Sequence, residues 1–575
     1  MRRQRLLLLV TLLLPAALLV AAEGVLRLTG HGQLEPLFVP VDVAPGYLQP
    51  NPAAIRRFFP DPKRAPDVSI DTTWFPAEKR DGTLRVFVQG ESSAAGFPYG
   101  RWASPAALLQ QRLQRAYPDR NVEVINTGMA AITSYVLLDF ADEIIAQRPD
   151  AVVIYTGHNE YLGIGGVGSS LVSARSPTLA RAVSRLRRLH LYRALELALA
   201  PWVAPRQDPL SDRGGTLMAR VAAKRSIPID SDLFRRGERQ FRVNLEQLLE
   251  KYADAGIPVF IGTLASNLRD QPPFVDVATG ASSAQATFAR ARALDEAGQH
   301  AEALQAYVAA KDLDGLRFRA PESFNVLIRD VAADKGATVV DVQRAFAEAA
   351  RDGIVGADLM LEHVHPNLDG YFRLASAYFP TMVQAFGLPA VEIDDATARA
   401  EMPVTEVDRL HGEYRVTVLR NDWPFVAQRQ DTNIPAATNR IEEIAQAWFV
   451  GRISWRDAMH EALEEYQQQG NLAEAARVAV NLADAFVTSP EAQYVAGGLL
   501  LRADAAARGL HYMKRAVVID PARVEYRMSV AQAQFMLGRT DDSIATLEAV
   551  LQQHPGDSRA EYWLAEVRRR SQQAP

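Results

Sequence analysis

The stretch Leu84-Arg85-Val86-Phe87-Val88-Gln89-Gly90-Glu91-Ser92-Ser93-Ala94-Ala95-Gly96 decides the fold. Residues 84–88 are aliphatic or aromatic except for Arg85, the composition of a short buried strand. The small residues that follow turn the chain and leave a hydroxyl at the strand's carboxyl end, where open α/β sheets place their reacting groups. A serine is a weak nucleophile until a base takes its proton and donors hold the developing oxyanion. Groups of the right kind occur downstream in three places. Gly128 closes the strand-like run Val122-Glu123-Val124-Ile125-Asn126-Thr127. Gly157-His158-Asn159-Glu160 follows the apolar run Ala151-Val152-Val153-Ile154-Tyr155. Glu362-His363-Val364-His365-Pro366 comes last. Singly, each reads as an ordinary turn; their order and strand context point to an active serine on a parallel sheet.

These blocks resemble those of the GDSL/SGNH hydrolase family, which donate a serine, a glycine, an asparagine and a histidine. Gly90, Ser92 and Gly96 match its first block, with Glu91 where aspartate is usual. Gly128 matches the second, Gly157, Asn159 and Glu160 the third, and Glu362, His365 and Pro366 the last, again with glutamate for aspartate. The resemblance spans roughly residues 84 to 390 and is nearest to a bacterial branch in which the hydrolase is joined to tetratricopeptide repeats. It implies a three-layer α/β/α, flavodoxin-like fold around a parallel sheet. It also implies an acyl-serine route in which Ser92 attacks, His365 exchanges the proton and Glu362 orients the imidazole, while the Ser92 and Gly128 N–H groups and the Asn159 amide hold the oxyanion. That route needs no metal and no organic cofactor. His363 competes with His365 as base; the spacing from Glu362 and the following proline favour His365. Glu91, Glu160, Arg317 and Arg319 are candidate substrate contacts.

The N-terminus sets the expected compartment. Arg2, Arg3 and Arg5 precede Leu6 to Ala22, 17 residues that are apolar but for Thr11 and Pro15. That length is the lower limit for a membrane-spanning helix and long for a signal-peptide core. Val20-Ala21-Ala22 can serve as a cleavage site, whereas Gly24-Val25-Leu26 extends the run and favours an uncleaved anchor. Both readings leave the arginines cytoplasmic and export the body: a single pass of the inner membrane with the body in the periplasm, or a secreted or periplasmic body after cleavage. With no cysteine, the chain has no disulfide, thiolate metal site or lipid-modified cysteine. A net charge of -5, from 63 basic and 68 acidic residues, makes no case for nucleic acid, and 48% hydrophobic content is that of a globular protein.

The expected organisation is a signal anchor or signal peptide at 1–27, an extension at 28–83, the hydrolase domain at 84–390, a connecting segment at 391–440 and tetratricopeptide-like repeats at 441–575. Asp520-Pro521 and His554-Pro555 end similar helical stretches 34 residues apart, and Gly470 precedes Gly538 by twice that period. The repeat between them, ending at Pro490, sits three residues out of register. Two helical insertions are expected in the hydrolase domain. One, near 170–205, is basic and amphipathic, with Leu179, Val183, Leu186 and His190 opposite Arg181, Arg185 and Arg188. It suits a membrane surface, a lid or plain packing on the domain. The other, near 282–316, is a helical hairpin.

The sequence therefore predicts an exported, membrane-tethered serine esterase whose repeats take a protein partner. Its substrate is an ester, as an O-acetyl group of an envelope glycan or as a lipid. Acyl transfer to such a glycan is the alternative, and a repeat scaffold with a weak hydrolase domain is another.

Overall fold

A computed structural model describes residues 2–169, 183, 185–203, 217–222 and 226–573 of the chain. Phe38–Pro40 (β1), Tyr47–Pro50 (β2) and Phe75–Pro76 (β3) form a small antiparallel sheet. Leu84–Gly90 (β4), Val122–Asn126 (β5), Ala151–Tyr155 (β6), Val259–Gly262 (β7) and Thr338–Val340 (β8) form a parallel sheet in the order β5-β4-β6-β7-β8. Helices Ser134–Ala146, Asp232–Asp254 and Glu322–Lys335 pack together as one layer, and Pro105–Ala116, Val342–Ala349 and Leu368–Phe386 as the other. This is the expected three-layer architecture.

Strand β4 is buried throughout because both its neighbours and both helix layers cover it. Its one charge, Arg85, is fully satisfied there. The guanidinium lies 2.7 Å from Glu123, donates to the carbonyls of Gln147 and Pro76, and stacks on Phe75. A buried charge is tolerable only with such partners. Phe38, Phe75 and Phe87 meet edge to face, so the extension at 28–83 belongs to the same core.

The strand order places β4 between β5 and β6, where successive crossovers leave in opposite directions. That is the point at which open α/β sheets open a crevice at their carboxyl ends. Gly90 pairs with Tyr155 across this point, so the turns after β4 and β6 emerge side by side.

The insertion near 282–316 is the expected hairpin, helices Ala284–Glu296 and His300–Leu313 turning at Gly298. Of the insertion near 170–205, residues 170–182, with Leu179 and Arg181, lie outside the described residues. The described part comprises residues 183 and 185–189 and the helix His190–Val203, whose first N–H groups, His190 and Leu191, donate to Glu23. Glu23 belongs to the N-terminal helix Arg2–Thr29. The side chains of residues 1–10 and 12 are outside the described set. Among the described residues no helix is long and apolar enough to cross a membrane.

Residues 391–440 are more than a connector. They contain helices Asp395–Ala400 and Glu406–Arg420, the latter begun by a reciprocal cap between Thr405 and Asp408. Their period is obscured because the second helix is buried on several sides, with Val407, Leu410, Gly412, Tyr414, Val416 and Leu419 all covered. It lies on the loop 97–102. Gly412 packs on Tyr99, where a Cβ would come within 2.3 Å of the ring, and Arg415 donates to the Pro98 carbonyl at 2.9 Å.

From Arg440 onward the described chain is helical. Three helix pairs, Trp455–Gln468 with Leu472–Ala485, Pro490–Arg502 with Ala506–Ile519, and Val524–Met536 with Thr540–Gln553, are followed by Ser558–Gln573. The register slip expected at Pro490 is absent. Pro490 opens the first helix of a pair, whereas Pro521 precedes one. The turns within the pairs hold Gly470, Asp504 and Gly538, all at left-handed φ and each 34 residues apart. Aspartate tolerates that conformation well enough to take glycine's place.

Candidate active site

The turn after β4 starts with a steric requirement. A Cβ on Gly90 would lie 2.2 Å from the Tyr155 carbonyl oxygen and 2.6 Å from Ala94 Cβ, so only glycine lets the strands close there. The chain then enters the short helix Ser92–Ala95, which Gly96 ends at φ 90°. Ser92 Oγ stands 2.7 Å from His365 Nε2. The neighbouring hydroxyl of Ser93 is buried and donates to the Val364 carbonyl at 3.2 Å, tying the turn to the histidine loop.

His365 Nδ1 meets Glu362 Oε1, and the His365 N–H donates to the same oxygen at 3.1 Å. The other oxygen, Oε2, meets His363 Nδ1 and accepts the His363 N–H at 2.6 Å. The structure thus brings together Ser92, His365 and Glu362, and adds His363 on the far side of the carboxylate. The Glu362, His363 and His365 ligand atoms lie within 4.8 Å of one another, the spacing of a metal site. Each Nδ1 aims at the carboxylate instead of a common centre, so the group is arranged as a proton relay. His365 is 7% exposed, and its ring lies 4.5 Å from that of Phe97, over which Arg415 stacks. Burial, and then the Arg415 charge, push its pKa down to about 3, so the imidazole stands neutral and ready to accept a proton.

Asn159 lies on the turn after β6, and its side-chain amide takes no acceptor among the described residues. Gly128 does not offer its N–H to the crevice. That group donates to Asn126 Oδ1 at 2.8 Å, while Asn126 Nδ2 donates to the Ala94 carbonyl. Gly128 is glycine for a packing reason, since a Cβ would sit 2.8 Å from Ala95 N. Three residues on, Ala131 is held at φ 58°, and its N–H takes no acceptor among the described residues. Its carbonyl accepts the Ile164 N–H, and Gly163 packs against both Ala131 and Asn159. The sequence gives no sign of the Ala131 conformation, because an alanine carries no signal of left-handed backbone.

The four candidate substrate contacts are structural instead. Glu91 is buried and accepts from Thr156 Oγ1, Gly157 N and Asn159 N at 2.8–3.0 Å, bracing the serine turn against the asparagine turn. Burial nevertheless pushes its pKa up to about 8. Glu160 accepts from Ser134 N and Gln240 Nε2. Arg317 and Arg319 are 1% and 4% exposed. Arg317 donates to the Ile227 and Asp312 carbonyls, and Arg319 to those of Asn267 and Gln271. They pin the chain's return from the hairpin because loop carbonyls inside a core need donors.

Residues 88–373 match the family model described as GDSL-like Lipase/Acylhydrolase. No curated protein matches the chain. Among solved structures, a catalytic mutant of an acetylxylan esterase from Geobacillus stearothermophilus is 14% identical, covering 54% of this chain and 97% of its own, with a TM-score of 0.28. A GDSL-like lipase from Bacteroides thetaiotaomicron is 13% identical, with coverages of 52% and 88% and a TM-score of 0.27. A lipase/acylhydrolase from Enterococcus faecalis is 15% identical, with coverages of 54% and 99% and a TM-score of 0.26. Likenesses this shallow carry no functional weight. The chain carries a domain that belongs to the GDSL-like lipase/acylhydrolase family, and it is a serine hydrolase acting on ester bonds.

Proposed function

We propose that the protein removes ester-linked acyl groups, acetyl above all, from a cell-envelope glycan through an acyl-serine. The observation that carries the mechanism is the continuous path from Ser92 Oγ through His365 to Glu362. Ser92 Oγ attacks the ester carbonyl while His365 Nε2 takes its proton and returns it to the leaving sugar hydroxyl. Glu362 holds the Nδ1–H tautomer and balances the imidazolium that forms. In this reading the N–H groups of Ser92 and Ala131 and the Asn159 amide donate to the oxyanion. Water, activated by the same histidine, then releases the acid. A second reading, acyl transfer to another glycan hydroxyl, is favoured by the depth of the relay, whose histidine is almost covered by Phe97 and the residues beside it.

The glycan assignment rests on the expected export of the body behind Arg2, Arg3 and Arg5 and the apolar run 6–22. The three helix pairs with their 34-residue turn spacing suit tetratricopeptide repeats, which bind a protein partner of the same envelope machinery. Incubated with an acetylated polysaccharide, the enzyme is expected to release acetate, measured against a Ser92→Ala control. Cleavage of a small aryl acetate with no release from any acetylated glycan would overturn the glycan reading and leave the esterase intact. A phosphatase fused after Pro575 is expected to be active in a Gram-negative host. An inactive, cytoplasmic fusion would refute export.

A further inference from the structure

A glutamate stands where the family's last block usually has aspartate, and its extra methylene gives the carboxylate another rotatable bond. A carboxylate that orients a catalytic imidazole must itself be held, because a displacement of about 1 Å in such machinery costs about 10²-fold in rate. In this protein both oxygens are occupied in the same way. Oε1 takes the N–H and Nδ1 of His365, and Oε2 takes the N–H and Nδ1 of His363. The carboxylate plane is therefore fixed between two imidazoles.

His363 is itself immobilised. It is 3% exposed, and its carbonyl accepts the Asn267 N–H at 2.9 Å. Its ring is enclosed edge to face by Phe274 at 5.8 Å, Phe318 at 6.0 Å and Phe425 at 5.6 Å. Such a cage disfavours the charged form and leaves a neutral ring. A neutral ring facing a carboxylate through Nδ1 must carry its proton there. Phe425 belongs to the segment that follows the helix Glu406–Arg420, so the cage is completed by chain outside residues 88–373.

We propose that His363 is a positioning residue of the hydrolytic relay: its Nδ1–H holds Glu362 Oε2 so that Oε1 is presented to His365. This inference rests on the reading of Ser92, His365 and Glu362 as the relay. It extends that relay to four groups and gives the longer glutamate side chain a fixed orientation.

Three substitutions test it on the full chain with a short aryl ester. Asparagine can place an amide N–H near the position of Nδ1, glutamine places it near Nε2, and leucine has none. His363→Asn is expected to keep kcat within about threefold of wild type. His363→Leu and His363→Gln are expected to lose about 10- to 10²-fold in kcat with KM within about twofold, the pattern of a lost transition-state interaction. Fluorophosphonate labelling of Ser92 is expected to slow in parallel with kcat. Equal kcat in the asparagine and glutamine variants, or a wild-type kcat in the leucine variant, would overturn the proposal. A change confined to KM would assign His363 to substrate contact and overturn it equally. Should the leucine variant fail to fold, the asparagine–glutamine pair still decides. His365→Ala is run alongside: if it stays active, the relay reading itself has failed, whereas inactive His365→Ala with unaffected His363 variants removes only the inference.

Discussion

Ser92→Ala is expected to abolish fluorophosphonate labelling and to lower kcat on a short acyl ester by at least about 10⁴-fold, whereas Ser93→Ala keeps most of both. The difference follows from where the two hydroxyls point. Ser92 Oγ faces His365 Nε2 at 2.7 Å, so it alone has a base for its proton. Ser93 Oγ is buried against the Val364 carbonyl and has no access to an incoming ester. Removing it deletes one hydrogen bond between the serine turn and the histidine loop, an effect of about tenfold at most. Equal labelling of wild type and Ser92→Ala would show that the nucleophile lies elsewhere.

Loss of the base or of its carboxylate is expected to be nearly as severe. His365→Ala removes the proton acceptor outright. Glu362→Gln keeps the shape but offers one acceptor and one donor where two Nδ1–H groups need two acceptors, so a histidine must change tautomer. A drop in kcat of about 10⁴-fold follows by analogy with the same change in a serine protease relay. Glu362→Asp retains the charge and should lose far less. The pH dependence carries the same signature. The pKa of His365 is lowered by burial and by Arg415, and the neutral ring is the active form. Activity is therefore lost only as pH falls through this depressed value, and the acid limb of kcat/KM is expected well below pH 6.5, the ordinary histidine midpoint. An acid limb at or above 6.5, or a Glu362→Gln variant as fast as wild type, would require a different base.

Much of this was legible in the residues because the chemistry is local. Strands β4 and β6 are short apolar runs, and the serine and asparagine turns follow them directly. The same holds for the hairpin at 284–313, where Gly298 marks its turn. Gly128 was misread because a glycine after a strand serves equally to free an N–H or to let two backbones touch. Only the contact with Ala94 and Ala95 separates those uses. Arg317 and Arg319 were misread because a charged side chain next to a site usually faces solvent, yet these two hold buried carbonyls.

By itself the sequence determined the parallel sheet, the serine at its carboxyl edge, the histidine block and the helical period of the C-terminal body, since each depends on neighbouring residues and their spacing. Only the tertiary structure decided that His363 shares the carboxylate with His365, that the Gly128 N–H is taken up by Asn126, and that residues 406–425 wall the site. Those outcomes depend on which groups distant in sequence occupy the same few ångströms and compete there for the same acceptor, and no spacing along the chain records that competition.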